Sequence, residues 1–218
     1  MERITMTDDW CYHDQHAWCF ESFTSQSPIN ITTNETEPMI DEGGIELHYD
    51  TITQAIIDNG HAIQGFANGV ATINNRRFEL VQYHFHAHSE HTINKKTYPV
   101  ELHFVHKAQN GRLAVIAVFM ELGNTPNKAI QQIIQRVDRP RPSIIDLTEL
   151  YPKNKRYYHY LGSLTTPPLN ENVEWYILEE PITITDSQLK ELTQYHAHNA
   201  REQQPLNQRP VLSKHFSA

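Results

Sequence analysis

VQYHFHAHSEHTINKKTYPVELHFVH, residues 81–106, is the stretch whose reading decides the fold. Six of the chain's fourteen histidines, at 84, 86, 88, 91, 103 and 106, fall inside it, where an even spread would put about two. From Val81 to His88 the residues Val81, Tyr83, Phe85 and Ala87 alternate with Gln82, His84, His86 and His88, the period of two that marks a half-buried strand. After an eleven-residue interruption, Ser89 to Pro99, a second alternating run puts Leu102, Phe104 and His106 on one side and Glu101, His103 and Val105 on the other. Antiparallel pairing of the two runs predicts His103 beside His84 and His86.

Three neutral imidazoles converging on one point suit zinc, which binds nitrogen at about 2.0–2.1 Å and, with three protein ligands, leaves a fourth tetrahedral position for water. A lone H-x-H reads more readily as a polar strand face. The third histidine on a neighbouring strand turns the reading towards a metal.

Outward from this stretch, 218 residues and 25.4 kDa suffice for one sizeable domain, 1–218, with no linker-like composition to divide it. A formal net charge of −8 and the lack of a basic run argue against nucleic acid as a partner. No stretch approaches the roughly 18 apolar residues of a membrane span, and the N-terminus lacks the apolar core of a signal peptide. The expectation is a cytoplasmic protein, or a secreted or periplasmic one had a leader been removed. Cys11 and Cys19 form no CxxC and read as two structural thiols, with a bridge as the alternative.

Trp10, Tyr12, Trp18 and Phe20 are expected to pin an irregular opening segment to a core. Ser27-Pro28 follows, a bond open to the cis form. Short strand-like runs then span 44–49, 52–57, 61–66, 70–73 and 77–83. Asp58-Asn59-Gly60, Asn68-Gly69 and Asn74-Asn75 read as the turns between them. Beyond the histidines, Asn110-Gly111 predicts a turn and Leu113 to Leu122 a buried strand. Thr125-Pro126 reads as a helix start, with Ala129, Ile130, Ile133, Ile134 and Val137 at helical spacing, and Thr185 with Gln188 as a capping box for a second helix. The fold class is mainly β with short peripheral helices, a large twisted and mostly antiparallel central sheet.

Along most of its length the chain resembles the alpha-class carbonic anhydrases. The resemblance is carried by QSPINI (26–31), NGHA (59–62), QYHFHAHSEH (82–91), VELHFVH (100–106), LAVIAVF (113–119), GSLTTPPL (162–169), VEWYILEEPI (173–182) and NAREQQPLNQRPV (199–211). It implies reversible hydration of CO2 to bicarbonate and a proton by attack of zinc-bound hydroxide, with Zn2+ held by His84, His86 and His103. In that class zinc lowers the pKa of its bound water to about 7.

The resemblance also implies that Thr165 and Glu90 orient the attacking oxygen and that Gln82 and Glu101 hold the ligand imidazoles in one tautomer. It gives Val105, Val115, Leu164, Val173 and Trp175 the apolar wall that CO2 needs, with Thr166 among the substrate contacts. His61 would carry the proton to solvent, helped by water ordered by Tyr12, Asn59 and Gln64. His106 reads as structural support, His88 as a surface residue, and His91 has no assigned role. Leu169 stands where many bacterial and extracellular relatives have a cysteine bridged to one near the N-terminus, which fits a reducing compartment. The expected partner is a small molecule, CO2 or bicarbonate, for a monomer or homodimer. The alternative is a non-catalytic carbonic anhydrase-related binding protein; such proteins typically lose a zinc histidine, and this chain keeps all three.

Overall fold

The computed structural model describes residues 10–18, 24–41, 43–139 and 141–215. Its strands, in chain order, are β1 (Asn30–Ile31), β2 (Glu37–Pro38), β3 (Ile45–Asp58), β4 (Ile63–Ile73), β5 (Arg76–His86), β6 (Thr92–Ile93), β7 (Val100–Ala108), β8 (Leu113–Leu122), β9 (Ser143–Ile144), β10 (Tyr157–Ser163), β11 (Glu171–Leu178), β12 (Ile182–Ile184) and β13 (Leu212–Lys214). The helices are α1 (Lys128–Ile134) and α2 (Asp186–Thr193), with 3-10 turns at Tyr12–Ala17, Thr33–Glu35 and Leu147–Leu150.

Eleven strands form one sheet in the order β2, β13, β10, β11, β8, β7, β5, β4, β3, β9, with β12 beside β8; β1 and β6 pair separately. Neighbours in the large sheet run antiparallel except β11 with β8, β12 with β8 and β13 with β2. The period-2 pattern sorts side chains to two faces. Tyr83, Phe85, Leu102, Phe104, Ile116 and Val118 join the larger core, which α1 covers with Ala129, Ile130 and Ile133. Val105, Val115, Ala117, Phe119, Trp175 and Ile177 build a smaller apolar cluster on the opposite face. The histidine-bearing face is this second one.

The structure departs from the sequence reading in several places, each with a physical cause. The strands expected at 44–49 and 52–57 are one strand, β3, with register shifts between Tyr49 and Ala55. Asn68-Gly69 is no turn; it lies inside β4, where a register shift falls between Gly65 and Val70. Gly69 is needed there for close approach, since a Cβ at that position would meet the Tyr49 ring at 2.6 Å. The Asn74-Asn75 turn does form, with φ of 49° and 62° at the two asparagines. Val81 is 45 % exposed because a bulge between Leu80 and Gln82 shifts the alternation, which leaves Leu80 in the larger core with Tyr83.

The first helix is capped by Asn127 rather than Thr125: the Asn127 side chain accepts the Ile130 N–H, and the helix ends before Val137. The capping box of Thr185 and Gln188 is present at α2. Ser27-Pro28 is cis, as are Ala87-His88 and Pro167-Pro168. In the opening segment Trp10, Tyr12 and Trp18 meet edge to face at 5.1–5.7 Å, and Trp18 is buried. Phe20 and Cys19 lie outside the described residues. Cys11 is an exposed free thiol and not a structural one.

Glu174 on β11 anchors the polar end of the larger core. Its buried carboxylate accepts from Arg76 at 2.8 Å and from the Tyr176 hydroxyl at 2.7 Å, with Arg112 Nε also at 2.8 Å. Burial pushes its pKa up, but the bonds and charges of these partners outweigh burial and hold it below the ordinary value. A depressed carboxylate stabilises the fold fully above its unfolded pKa, about 4.3, and loses that contribution as pH falls through the lower folded value. The stability gap between wild type and Glu174→Gln, from denaturant midpoints, is therefore expected to be constant above about pH 5.5 and to shrink below about pH 4. A gap independent of pH would assign the effect to packing instead.

Candidate active site

Strands β5 and β7 place three histidines together. Across the pair His84 is opposite His103, His86 is opposite Glu101 and Gln82 is opposite Val105. The rings of His84, His86 and His103 lie 4.6–5.1 Å apart by centroid, and one nitrogen from each falls within 4.8 Å of the others.

The remaining ring nitrogens fix which atoms point inward. His84 Nδ1 lies 2.9 Å from Gln82 Oε1, His86 Nδ1 2.6 Å from the Asn199 carbonyl and His103 Nε2 2.7 Å from Glu101 Oε1. Since each partner oxygen only accepts, these nitrogens carry the protons and the lone pairs sit on His84 Nε2, His86 Nε2 and His103 Nδ1. Burial, followed by repulsion from neighbouring histidines, pushes the pKa of His84 well below 6.5 and that of His86 to about 3. Burial also lowers His103, against the pull of Glu101. All three are thus neutral imidazoles at neutral pH.

The residues fit a metal by a further observation: His86 Nε2 is buried and has no hydrogen-bond partner among the described residues. A buried orphan acceptor costs about 1–3 kcal/mol unless its lone pair is engaged. Three convergent imidazole lone pairs are the donor set that zinc favours.

Two buried carboxylates stand behind the histidines in different environments. Glu101 accepts four bonds: the backbone N–H groups of Glu90 and His91 on Oε2, each at 2.8 Å, and His91 Nδ1 and His103 Nε2 on Oε1, each at 2.7 Å. Burial would raise its pKa, but His91 and His103 outweigh burial and hold it well below 4.5. Glu90 is pushed well above 4.5 by burial and then by the charge of Glu101. Its Oε1 accepts the Arg201 backbone N–H at 2.8 Å, while Oε2 has no hydrogen-bond partner among the described residues. Thr165 lies close enough to Glu90 to pull its pKa down against burial.

Thr165 sits in the link between β10 and β11, a loop closed by Leu164 N–H to Asn170 O and Leu169 N–H to Thr166 O at 2.9 and 3.0 Å. Thr165 is buried, and Leu164 and Thr166 are half-buried. Val105 pairs with Val115, and Val115 with Trp175, so these three form one apolar row across the sheet beside the histidines. Val173 is buried in the same cluster and Leu164 packs against it.

His61 lies in the β3–β4 link, half-buried, its ring stacked on Trp10 at 3.8 Å and 9°. The Asn59 side chain accepts the His61 and Ala62 N–H groups at 2.9 and 2.8 Å and donates to Gln64 at 2.7 Å. Gln64 is the cross-strand partner of His84, which links this hairpin to the cluster. Among the described residues the buried Tyr12 hydroxyl has no hydrogen-bond partner, and burial followed by the charge of Glu90 raises its pKa.

His88 is exposed, and His106 faces the larger core, where its Nε2 meets the Tyr49 hydroxyl at 2.8 Å. Sequence reasoning missed three contributors. His91, left without a role, is fully buried and bridges Glu101 to the Tyr160 hydroxyl at 2.7 Å on each side. Asn199 holds His86 through its carbonyl, and its side chain holds the Phe85 and His61 carbonyls, both at 2.9 Å. Arg201 supplies the N–H on Glu90 and extends its guanidinium to Gln26 and Ser27. The block at 199–211 signalled that the segment matters, but not these bonds, several of which use main-chain atoms.

Comparison with known proteins adds an independent finding. Residues 6–215 match the family model for eukaryotic-type carbonic anhydrase. The chain is 38 % identical over 204 residues to a carbonic anhydrase of Pectobacterium carotovorum, covering 88 % of this chain and 81 % of that one. It is 37 % identical to a carbonic anhydrase of Nostoc sp., covering 86 % and 75 %. Among solved structures, the alpha-carbonic anhydrase of Thermovibrio ammonificans superposes with a TM-score of 0.81 at 35 % identity, over 87 % of both chains. That of Photobacterium profundum superposes at 0.80 and 34 % identity, over 87 % of this chain and 89 % of the other.

Proposed function

The chain belongs to the eukaryotic-type, or alpha, carbonic anhydrase family, and from that premise we propose which of its residues carry the reversible hydration of CO2 to bicarbonate and a proton. It is a carbonic anhydrase. Residues 1–218 are proposed to form one functional domain.

His84 and His86 through Nε2, and His103 through Nδ1, would hold Zn2+. The observation that carries this assignment is the orphaned, buried Nε2 of His86 beside two other inward lone pairs. Bound there, zinc would supply a Lewis acid that makes water a nucleophile near neutral pH. Gln82, Asn199 and Glu101 keep the three rings in the ligating tautomer by accepting their other N–H groups.

The row of Val105, Val115 and Trp175, with Val173 and Leu164, gives apolar CO2 a seat free of competing hydrogen bonds. Thr166, half-buried in the same loop as Leu164 and Thr165, is assigned to the substrate contacts. Thr165 is assigned the orienting role: with its proton directed to Glu90, its lone pairs accept from the attacking oxygen and fix its approach. The action of Thr165 on Glu90 supports this pairing.

Each hydration releases a proton, which His61 is proposed to carry outward across water ordered by Tyr12, Asn59 and Gln64. Its half-exposed stack on Trp10 suits a group that meets both the interior and solvent. Retention of all three ligand histidines, Glu90 and Thr165 speaks against the non-catalytic alternative. The exposed Cys11 thiol and Leu169 in place of a bridging cysteine favour a reducing, cytoplasmic setting. Among the described residues no helix is long and apolar enough to cross a membrane.

The test is buffer dependence. His61→Ala is expected to lower kcat by about tenfold or more in weak buffer, with kcat/KM for CO2 nearly unchanged and turnover rescued by added imidazole. Equal turnover at all buffer concentrations would remove His61 from this role.

A further inference from the structure

We propose that Asp58 and His196 act as a clamp that positions the His61 loop for proton export, a role in the reaction for two residues outside the metal cluster. The inference rests on the assignment of His61 as the proton carrier.

The loop spans four residues, 59–62, between the end of β3 at Asp58 and the start of β4 at Ile63. Asn59 satisfies its own turn, accepting from His61 and Ala62 and donating its N–H to the Ala62 carbonyl at 3.1 Å. Those bonds shape the loop but tie it to nothing else. Gly60, at φ 87°, donates its N–H to Asp58 Oδ1 at 2.9 Å, and the same oxygen meets His196 Nε2 at 2.7 Å. One carboxylate therefore joins the loop backbone to a residue from a distant part of the chain.

His196 lies just beyond α2, whose capping box and buried Leu192 make it a fixed support. Three residues further on, the Asn199 side chain donates to the His61 carbonyl while its own carbonyl holds His86. The segment 196–199 thus holds the loop directly at the His61 carbonyl, indirectly through the Asp58 carboxylate that Gly60 donates to, and one metal-ligand candidate at a third point, which fixes the reach between His61 and the cluster. From the opposite side the Asp58 N–H donates to Asp138 Oδ1 at 2.9 Å.

The pair is partly shielded, with side chains 28 % and 18 % exposed for Asp58 and His196. Burial pushes the Asp58 pKa up, but the bonds from His196 and Gly60 and the charges of His196 and His61 bring it below its ordinary value. A group that alternates between neutral and cationic needs a loop held by bonds that do not depend on its own side chain. The clamp supplies them.

The experiment compares His61→Ala, His196→Ala, His196→Gln and Asp58→Ala by stopped-flow CO2 hydration in weak and in imidazole-rich buffer, with thermal unfolding alongside. His196→Ala is expected to lower kcat in weak buffer by about three- to tenfold, with kcat/KM within about twofold and recovery in imidazole. His196→Gln, whose amide can present an N–H where Nε2 stood, is expected to stay within about twofold of wild type. Should His196→Ala fail to fold, Asp58→Ala reports the same loss of grip from the loop side.

A normal kcat in His196→Ala and Asp58→Ala, with His61→Ala impaired, would overturn the clamp alone. A normal kcat in His61→Ala would overturn the assignment of His61 and the clamp with it. Parallel falls in kcat, kcat/KM and melting temperature, without rescue by imidazole, would reduce the pair to a structural bond and overturn the proposal.

Discussion

His86→Ala is expected to reduce CO2 hydration to near the uncatalysed rate, a fall of at least about 10³-fold, and to lose most of its bound metal. His86 is the best-constrained of the three histidines. Its ring is fully buried, and its Nδ1 proton is committed to the Asn199 carbonyl at 2.6 Å. With a pKa pushed down to about 3, first by burial and then by His103, it remains a neutral donor throughout the physiological range. Among the described residues its Nε2 has no hydrogen-bond partner, so the fold carries an unsatisfied acceptor that a bound cation would relieve. Alanine removes that lone pair and leaves two ligands, too few to hold a catalytic zinc against competition from water.

Chelation of the wild type should produce the same loss, reversed when zinc is restored, whereas the variant should not recover. Metal content per chain and stopped-flow rates, measured on the same samples, check both halves. Hydration within about tenfold of wild type in a metal-depleted His86→Ala sample would sink the ligand assignment.

How far the site could be read from sequence depended on whether its atoms belong to a regular pattern. His84, His86 and His103 were legible because two alternating runs put them on one face, and the paired register of β5 and β7 is what antiparallel pairing of those runs requires; Glu101 shares that face, but its role came only from the family resemblance. His91 was not legible, since it falls in the interruption at 89–99, where no period assigns a face. Asn199 and Arg201 act on His86 and Glu90 through a carbonyl and a main-chain N–H, groups that every residue carries. Asn68-Gly69 misled for a related reason: the pair suits a turn, but Gly69 is required by the close Tyr49 ring inside a continuous strand. At the first helix, Thr125-Pro126 offered a plausible cap, and Asn127 took the role because its side chain reaches the Ile130 N–H.

Glu101→Ala is expected to destabilise the protein by about 3–5 kcal/mol and to weaken metal binding by roughly 10- to 100-fold. Family resemblance gives Glu101, with Gln82, a single task, holding the ligand imidazoles in one tautomer; here it meets His103. The structure gives its carboxylate three more bonds, to the Glu90 and His91 main chain and to the His91 ring, so the same group folds the start of the interruption between β5 and β7. Removing it leaves four buried donors facing an empty space, two of them backbone N–H groups that cannot turn elsewhere.

For a chain of this size the loss corresponds to a drop of roughly 6–20 °C in melting temperature. Glu101→Gln should cost less, because its amide oxygen still accepts, but its NH₂ meets donors where the carboxylate had accepted. The expected order of both melting temperature and zinc affinity is therefore wild type, Gln, Ala. Loosening of the Glu90–His91 main chain also moves Glu90, whose Oε1 is held by Arg201 N–H, so activity should fall even in samples saturated with zinc. A Glu101→Ala protein that melts within about 2 °C of wild type would show that the loop is held without the carboxylate, and would confine Glu101 to orienting His103.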